Sequence, residues 1–326
     1  MTVSTPYPLR IPSVSSPTQA ALRTPRTRSV HASRPHLLLP MAMLALVLLL
    51  GCTGRAQVDY TIDSLRVVGA EWRVDSLDGF TLKRYHFGEG ALFCSAQYLC
   101  VLEIPATSQR RLAFVCDSLP TEVSTLAQRN GALAAINGTF FDMDLGNPIC
   151  YLRIDGQTVG ENTPSATDSV RRKYYQHATL CLREGRPQIV LPDSNRLWEN
   201  TLNEANIMTA GPMLVRNGNL VPQRDDRTFV TKRHNRTALG MRPDGTMLLL
   251  VADGRFQHQA EGLSLPELER VMLWLGCVDA INLDGGGSTT MYVQGKPFDG
   301  VVNYPSDNRR HDHEGQRPVS NAIIVL

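Results

Sequence analysis

The chain has 326 residues, 42% of them hydrophobic and 20% charged, with a formal net charge of +2. This is the composition of an ordinary globular protein, with room for one large domain or two small ones. Five of its 33 basic residues precede Cys52, which leaves 28 against 31 acidic residues, about −3; a basic nucleic-acid footprint, and with it a nucleic-acid partner, is excluded.

Residues 1–36 carry those five arginines, many Ser, Thr and Pro, and no acidic residue, and 37–50 form an almost unbroken apolar run. A basic segment followed by an apolar one is the order of a secretory signal, and the run is too short for a comfortable membrane-spanning helix. Leu49-Leu50-Gly51-Cys52 resembles a bacterial lipobox, Leu50 being its less usual residue. Residues 1–51 are therefore expected to be a lipoprotein signal peptide, Cys52 the lipidation site and 52–59 the anchor and linker. The lipid bilayer would then be a partner, and the protein would be secreted across the inner membrane and held in the cell envelope, in the periplasm or at the outer-membrane surface.

From Tyr60 to Phe114 the pattern is strand-like, with turns at Asp78-Gly79 and Gly88-Glu89-Gly90. Residues 60–115 are expected to form an N-terminal β-rich segment ahead of a domain over 116–326. Ser118, Pro120 and the stripe Leu119, Val123, Leu126 predict a helix over 119–128, followed by a buried strand over 132–137. Further strands are predicted over 177–182, 188–191, 207–216, 237–242 and 246–252, with hairpin signals at Asn217-Gly218 and Asp244-Gly245. Ser264 and Glu267 form a candidate capping box for a helix whose apolar face is Leu265, Leu268, Val271, Met272 and Leu275. A strand over 278–283 follows it, and 319–326 is the last strand. Strands outnumber helices and many connections are tight, so the fold class is α+β: a β-rich mixed sheet with a few covering helices in a single catalytic domain. Cys94, Cys100, Cys116, Cys150, Cys181 and Cys277 permit 15 disulfide pairings or remain buried thiols.

Both predicted helix–strand units end in Ala-Ile-Asn and a polar glycine turn, Asn137-Gly138-Thr139-Phe140-Phe141-Asp142 and Asn282-Leu283-Asp284-Gly285-Gly286-Gly287. Three ordered glycines cost backbone entropy, which suggests left-handed backbone or a ligand close to bare peptide. Phosphate-binding glycine loops open a helix; here Ser288-Thr289-Thr290-Met291-Tyr292-Val293 is β-branched and aromatic and predicts a strand, so nucleotide-loop readings fail.

Those two stretches, with Ala210-Gly211-Pro212-Met213-Leu214-Val215, Arg236-Thr237-Ala238-Leu239-Gly240 and Arg317-Pro318-Val319-Ser320-Asn321, resemble the successive motifs of the phosphodiester glycosidase family over roughly 119–326. The resemblance implies hydrolysis of a sugar 1-phosphodiester, an N-acetylglucosamine-1-phosphodiester or related phosphorylated glycan, releasing the sugar. Oxocarbenium-like chemistry asks for carboxylates and a departing phosphate for cationic and N–H donors. Asp284, at a strand mouth, and Asp253, in Ala252-Asp253-Gly254-Arg255, are the first two catalytic candidates, and Glu261 is the third. Arg236 and Arg255 are the foremost phosphate ligands, with Arg317 and His234 behind them. Gly285, Gly286 and Gly287 offer an anion-cradling nest beside Ser288. Asn137, Gly138, Asp142, Gly211, Thr237 and Asn282 complete the proposed binding set; for Asp142 a turn-capping role competes. Phe140 and Phe141 are either a sugar platform or core.

No cofactor is required by the sequence, a divalent cation is compatible with the acidic residues, and His311-Asp312-His313-Glu314 reads as a solvated loop in spite of its metal-like composition. The alternative to an enzyme is a non-catalytic glycan-binding surface lipoprotein; a transferase using the same pocket is the third reading.

Overall fold

In the strand Met247–Ala252 every residue is buried, so both of its faces must be covered. Alternate side chains separate two cores: Met247, Leu249 and Val251 join Ile136, Leu180, Met208 and Ile323, while Leu248, Leu250 and Ala252 join Leu265, Leu268, Val271 and Met272. The strand lies inside an eight-stranded sheet of order Arg73–Leu77, Phe80–Leu92, Ser95–Ile104, Met247–Ala252, Arg236–Met241, Asp279–Asn282, Met213–Arg216 and Asn219–Leu220. One face carries helix Leu265–Trp274; the other shares its core with a four-stranded sheet (Met291–Val293, Ala134–Asn137, Val319–Val325, Leu112–Thr121) and a five-stranded sheet (Gln157–Gly160, Leu152–Ile154, Asn206–Ala210, Ala178–Arg183, Arg186–Val190). Helix Val123–Arg129 covers the far side of the four-stranded sheet through Val123, Leu126 and Ala127. The computed structural model describes residues 59–165, 172–223 and 227–326; the expected signal peptide, the apolar run and Cys52 lie outside the described residues.

The β-rich architecture with few helices is as expected, but the sheet is not mixed. Three sheets are present and every named strand pair among the described residues is antiparallel. Residues 60–115 are β-rich and belong to the compact unit 59–326: Leu99–Ile104 pairs with Met247–Ala252. The strand-like reading from Tyr60 misses helix Thr61–Val68. The expected turn at Gly88–Gly90 is an irregularity inside Phe80–Leu92, whereas Asp78-Gly79 and Asn217-Gly218 close two-residue hairpins, Gly79 and both Asn217 and Gly218 having positive φ.

The helix predicted over 119–128 begins only at Val123. Strand Leu112–Thr121 continues through Ser118 and Pro120 because Thr121 still pairs with Val319, and an edge strand tolerates the N–H that proline lacks. The strand predicted over 207–216 divides at the cis Gly211–Pro212 bond, leaving Asn206–Ala210 in one sheet and Met213–Arg216 in another. Gly286 and Gly287 of the triplet form a short 3-10 turn with Ser288, and the strand starts only at Met291.

The capping box predicted at Ser264 forms: Ser264 Oγ accepts from Glu267 N at 3.4 Å, and Glu267 Oε2 accepts from Ser264 N at 2.8 Å. This helix end fixes the main face of one core, so Ser264→Ala is expected to lower stability by about 1 kcal/mol. Equilibrium urea unfolding checks it: the midpoint falls while the slope is unchanged.

Candidate active site

Antiparallel pairing brings several chain segments to one end of the large sheet. Arg236 opposes Ala252, and Ala238 opposes Asn282, so the start of one strand and the exits of two others coincide at Asn235, Asp253 and Leu283-Asp284. The exit of Ala134–Asn137, from the four-stranded sheet, is tied to the same place. Asn137 Nδ2 donates to Asp284 O at 2.7 Å, and Asp284 N donates to Gly138 O at 3.1 Å. The two Ala-Ile-Asn turns therefore meet.

Asn137 is buried and its amide is fully engaged: Oδ1 accepts from Thr237 Oγ1 at 2.7 Å and from Thr290 N at 3.2 Å. Gly138 passes so close to Asn321 that a Cβ would overlap Asn321 Oδ1, which accepts from Thr139 N at 2.7 Å. Asn282 Nδ2 donates to Gly211 O at 2.8 Å. Asn137, Gly138, Gly211, Thr237 and Asn282 thus form the frame of the site. Among the described residues, Asn282 Oδ1, Asn235 Nδ2 and Thr290 Oγ1 around it are buried without a hydrogen-bond partner.

Asp284 is half-buried at the mouth of this frame. Burial raises its carboxyl above the ordinary range, opposed by the neighbouring Ser288 hydroxyl, the Gly285 N–H and the charge of Arg317. Gly285 N donates to Asp284 Oδ1 at 2.8 Å. Gly286 has φ +64°, a left-handed backbone that favours glycine, donates its N–H to Asn235 O at 2.9 Å, and has the Arg255 guanidinium against it, 2.7 Å from where a Cβ would lie. Gly287 backs in the same way onto Arg317 and Asp307. Arg255, Ser306, Asp307, Arg309 and Arg317 line a cleft of about 490 Å³ at this wall. Arg317 Nε donates to Asp307 Oδ1 at 2.8 Å, and Arg255 Nη1 approaches Ser306 Oγ at 3.5 Å. His234, half-buried, is held below its ordinary pKa by burial and by Arg236 and Arg255.

Other expected site residues lie elsewhere or are already engaged. Arg236, 2% exposed, spends its guanidinium on three carbonyls, with Nε to Leu263 O at 2.8 Å and Nη2 to Phe229 O and Lys232 O at 2.8 and 3.0 Å. Burial lowers its pKa to about 10; it is a structural clamp rather than a phosphate ligand. Asp253 is fully buried, its oxygens accepting from Asn303 Nδ2 and Tyr304 N, each at 2.8 Å, so it anchors the 303–304 segment instead of facing the cleft. Glu261 lies 3.5 Å from Arg233, whose closer partner is Glu267 at 2.6 Å. Asp142 Oδ1 accepts from Asp144 N and Leu145 N at 2.9 Å, the turn-capping role. Phe141 is core, and Phe140 packs on Tyr175 with centroids 4.8 Å apart.

The 311–314 stretch is not simply solvated: His311 and His313 both stack on Tyr304, with centroids 4.1 and 4.3 Å apart. Among the described residues no three His, Cys, Asp or Glu side chains form a metal-binding group, and the six cysteines are free. Sequence reasoning missed Asp307, Ser306 and Asn235. Asn235 directly precedes a recognised motif, but Asp307 stands in a polar loop with no local signal.

Burial pushes the Asp253 carboxyl up to about 7. Its folded pKa exceeds its unfolded one, so the stabilising contribution is complete below the unfolded pKa of about 4 and is lost as pH rises through about 7. Asp253→Asn is expected to flatten this fall in urea-unfolding stability between pH 4 and 8. It should also lower stability near pH 5 by about 1–3 kcal/mol, because one carboxyl acceptor becomes a donor facing a donor.

A profile of the phosphodiester glycosidase family matches residues 130–326. The N-acetylglucosamine-1-phosphodiester alpha-N-acetylglucosaminidase of Mus musculus is 30% identical over 211 residues, 60% of this chain and 38% of that protein. Its Bos taurus counterpart is 28% identical over 201 residues, 57% of this chain and 35% of that one; the chain spans well under half the length of these relatives. Among solved structures, the zebrafish N-acetylglucosamine-1-phosphodiester alpha-N-acetylglucosaminidase catalytic domain, auto-inhibited by its pro-peptide, shares the fold with a TM-score of 0.59 at 16% identity, over 78% of this chain and 87% of that one. A hypothetical protein from Synechocystis gives 0.55 at 15% identity, over 78% and 64%. With its motifs gathered at one sheet end and the profile covering more than half its length, the chain belongs to the phosphodiester glycosidase family.

Proposed function

We propose that the protein hydrolyses a sugar 1-phosphodiester, of the N-acetylglucosamine-1-phosphodiester kind, releasing the sugar and leaving a phosphomonoester on the acceptor. The observation that carries this reading is the convergence of one half-buried carboxyl, Asp284, with two guanidiniums, Arg255 and Arg317, on the glycine triplet. Family membership and the relatives' named activity support it.

In this scheme Arg255 and Arg317 hold the diester phosphate and stabilise the charge it gains as the C–O bond breaks. A phosphate ester departs readily as an anion, so the base matters more than an acid. Deprotonated Asp284 takes a proton from the water whose oxygen bonds to the anomeric carbon, while the electron pair of the broken bond leaves with the phosphate. The raised Asp284 carboxyl is a stronger base than an exposed one. Unpartnered polar atoms at Asn282, Asn235 and Thr290 supply sites for sugar hydroxyls or ordered water. Asp307, held by Arg317 in the same cleft, is the second carboxylate in place of Asp253. The leader over 1–51 and Cys52 support a lipid-anchored protein working on envelope or extracellular glycans.

The full chain should release reducing sugar from the methyl phosphodiester of N-acetylglucosamine 1-phosphate. Asp284→Asn should lower kcat by about 100-fold or more, and Arg255→Ala should lower kcat/KM by about 10-fold or more, both with unchanged circular dichroism. Because the base works only when ionised, activity should rise with pH on a limb lying above the ordinary carboxylate range. Binding without turnover by the unmodified chain would replace the enzyme with a glycan-binding lipoprotein.

A further inference from the structure

A second cleft, of about 300 Å³, has Tyr304 in its wall, in the same segment whose Ser306 lines the first. Its charge is unbalanced. Arg73 and Arg84 oppose each other directly across an antiparallel strand pair, an arrangement that destabilises a sheet unless something offsets the repulsion. Lys296 joins them. Among the described residues Asp75 is the one carboxylate ion-paired with Arg84 and Lys296, and it is shared: one oxygen receives Arg84 Nη2 at 2.7 Å and Lys296 Nζ at 3.1 Å. Among the described residues Arg73 has no ion-pair partner, and the Nε–H of Arg84 is buried without an acceptor. Three cations thus line the cleft, and no carboxylate is among its described lining residues.

The remaining wall mixes aliphatic Pro297, Val301 and Val302 with aromatic rings. Phe298 is 61% exposed and stacks on His313 with centroids 4.2 Å apart, and His313 stacks in turn on Tyr304. Phe298 and Asp299 both hold left-handed backbone, φ 58° and 52°, uncommon for consecutive non-glycine residues. This conformation keeps a large apolar ring in water at the rim of a cationic cleft. An aromatic face beside convergent guanidinium and ammonium groups is the chemistry that receives a sugar ring bearing an anionic group.

Tyr304 lines this cleft and Ser306, two residues on, lines the cleft beside Asp284. From Tyr304 the contacts continue to His311, stacked on it, and on to Phe256, which meets His311 edge-on and lines that first cleft. One aromatic ridge therefore connects the two. We infer that the cleft of Arg73, Arg84, Lys296 and Phe298 is a second anion subsite, and that the preferred ligand is a glycan with at least two phosphodiester-linked units rather than a single sugar phosphodiester. The inference rests on the proposed function for its link to turnover; its binding claim stands independently.

The test measures binding by calorimetry at low salt in the Asp284→Asn background, so that turnover does not consume the ligand. The probes are a three-unit oligomer of N-acetylglucosamine 1-phosphate and the single-unit methyl diester. The oligomer is expected to bind at least about tenfold more tightly, and Arg73→Gln with Lys296→Gln should abolish that advantage while the single unit binds as before; both side chains lie toward the surface, and Asp75 keeps Arg84. Phe298→Ala, at an exposed position, should reduce the same advantage. Equal affinity for the two probes, or an advantage that survives the double substitution, overturns the second subsite. Turnover by the unmodified chain is measured separately: its absence alongside a sensitive oligomer advantage would overturn the hydrolase reading and leave the subsite standing, and the converse result would do the reverse.

Discussion

The site depends on the clasp between Asn137 and the Asp284 turn. Asn137 belongs to the four-stranded sheet, yet its amide donates to the Asp284 carbonyl and accepts from Thr237 in the eight-stranded sheet and from Thr290 beyond the glycine loop. One buried side chain therefore sets the separation of two sheets and the position of the carboxyl between them. Each partner left unmet in so dry a place would cost about 1–3 kcal/mol, so the turns are held far more rigidly than glycine-rich loops at a surface. Rigidity of this kind places a catalytic group without reorganisation during the reaction.

Burial then sorts the charged residues. Arg236 and Asp253 flank the same strand pair as the cleft, but each sits behind its wall with its hydrogen-bonding capacity directed at backbone or Asn303. Arg255 and Arg317 lie two residues beyond Asp253 and across the glycine triplet respectively, where solvent and a ligand can reach them. The buried pair builds the scaffold and the open pair meets the ligand. An arginine already bonded to three carbonyls has little left to offer a phosphate. The 303–317 segment, fixed at its base by Asp253, contributes side chains to both clefts.

Much of this was legible in the residues. The capping box at Ser264, the hairpin at Asn217-Gly218 and the strand exits at Asn137 and Asn282 carry local chemistry that tertiary packing had no reason to override. The exclusion of nucleotide loops also stands: the triplet itself runs into a single 3-10 turn, Gly286–Ser288, not a helix N-terminus. The helix at 119 failed because an edge strand competed for the same residues, and long-range pairing with Val319 won. The strands of 60–115 were legible as strands, but that Ser95–Ile104 joins Met247–Ala252, more than a hundred residues away, was not, for the same kind of reason.

The sequence by itself determined the family, the β-rich class and the turn that holds Asp284, because ordered motifs, alternation and turn residues are local properties written in adjacent positions. Only the tertiary structure decided that Arg236 and Asp253 are spent on scaffolding, that Asp307 stands beside Arg317, and that Arg73, Arg84 and Lys296 share one cleft. Availability of a charge is set by burial and by hydrogen-bond partners that arrive from distant strands, and no spacing along the chain encodes who those partners are.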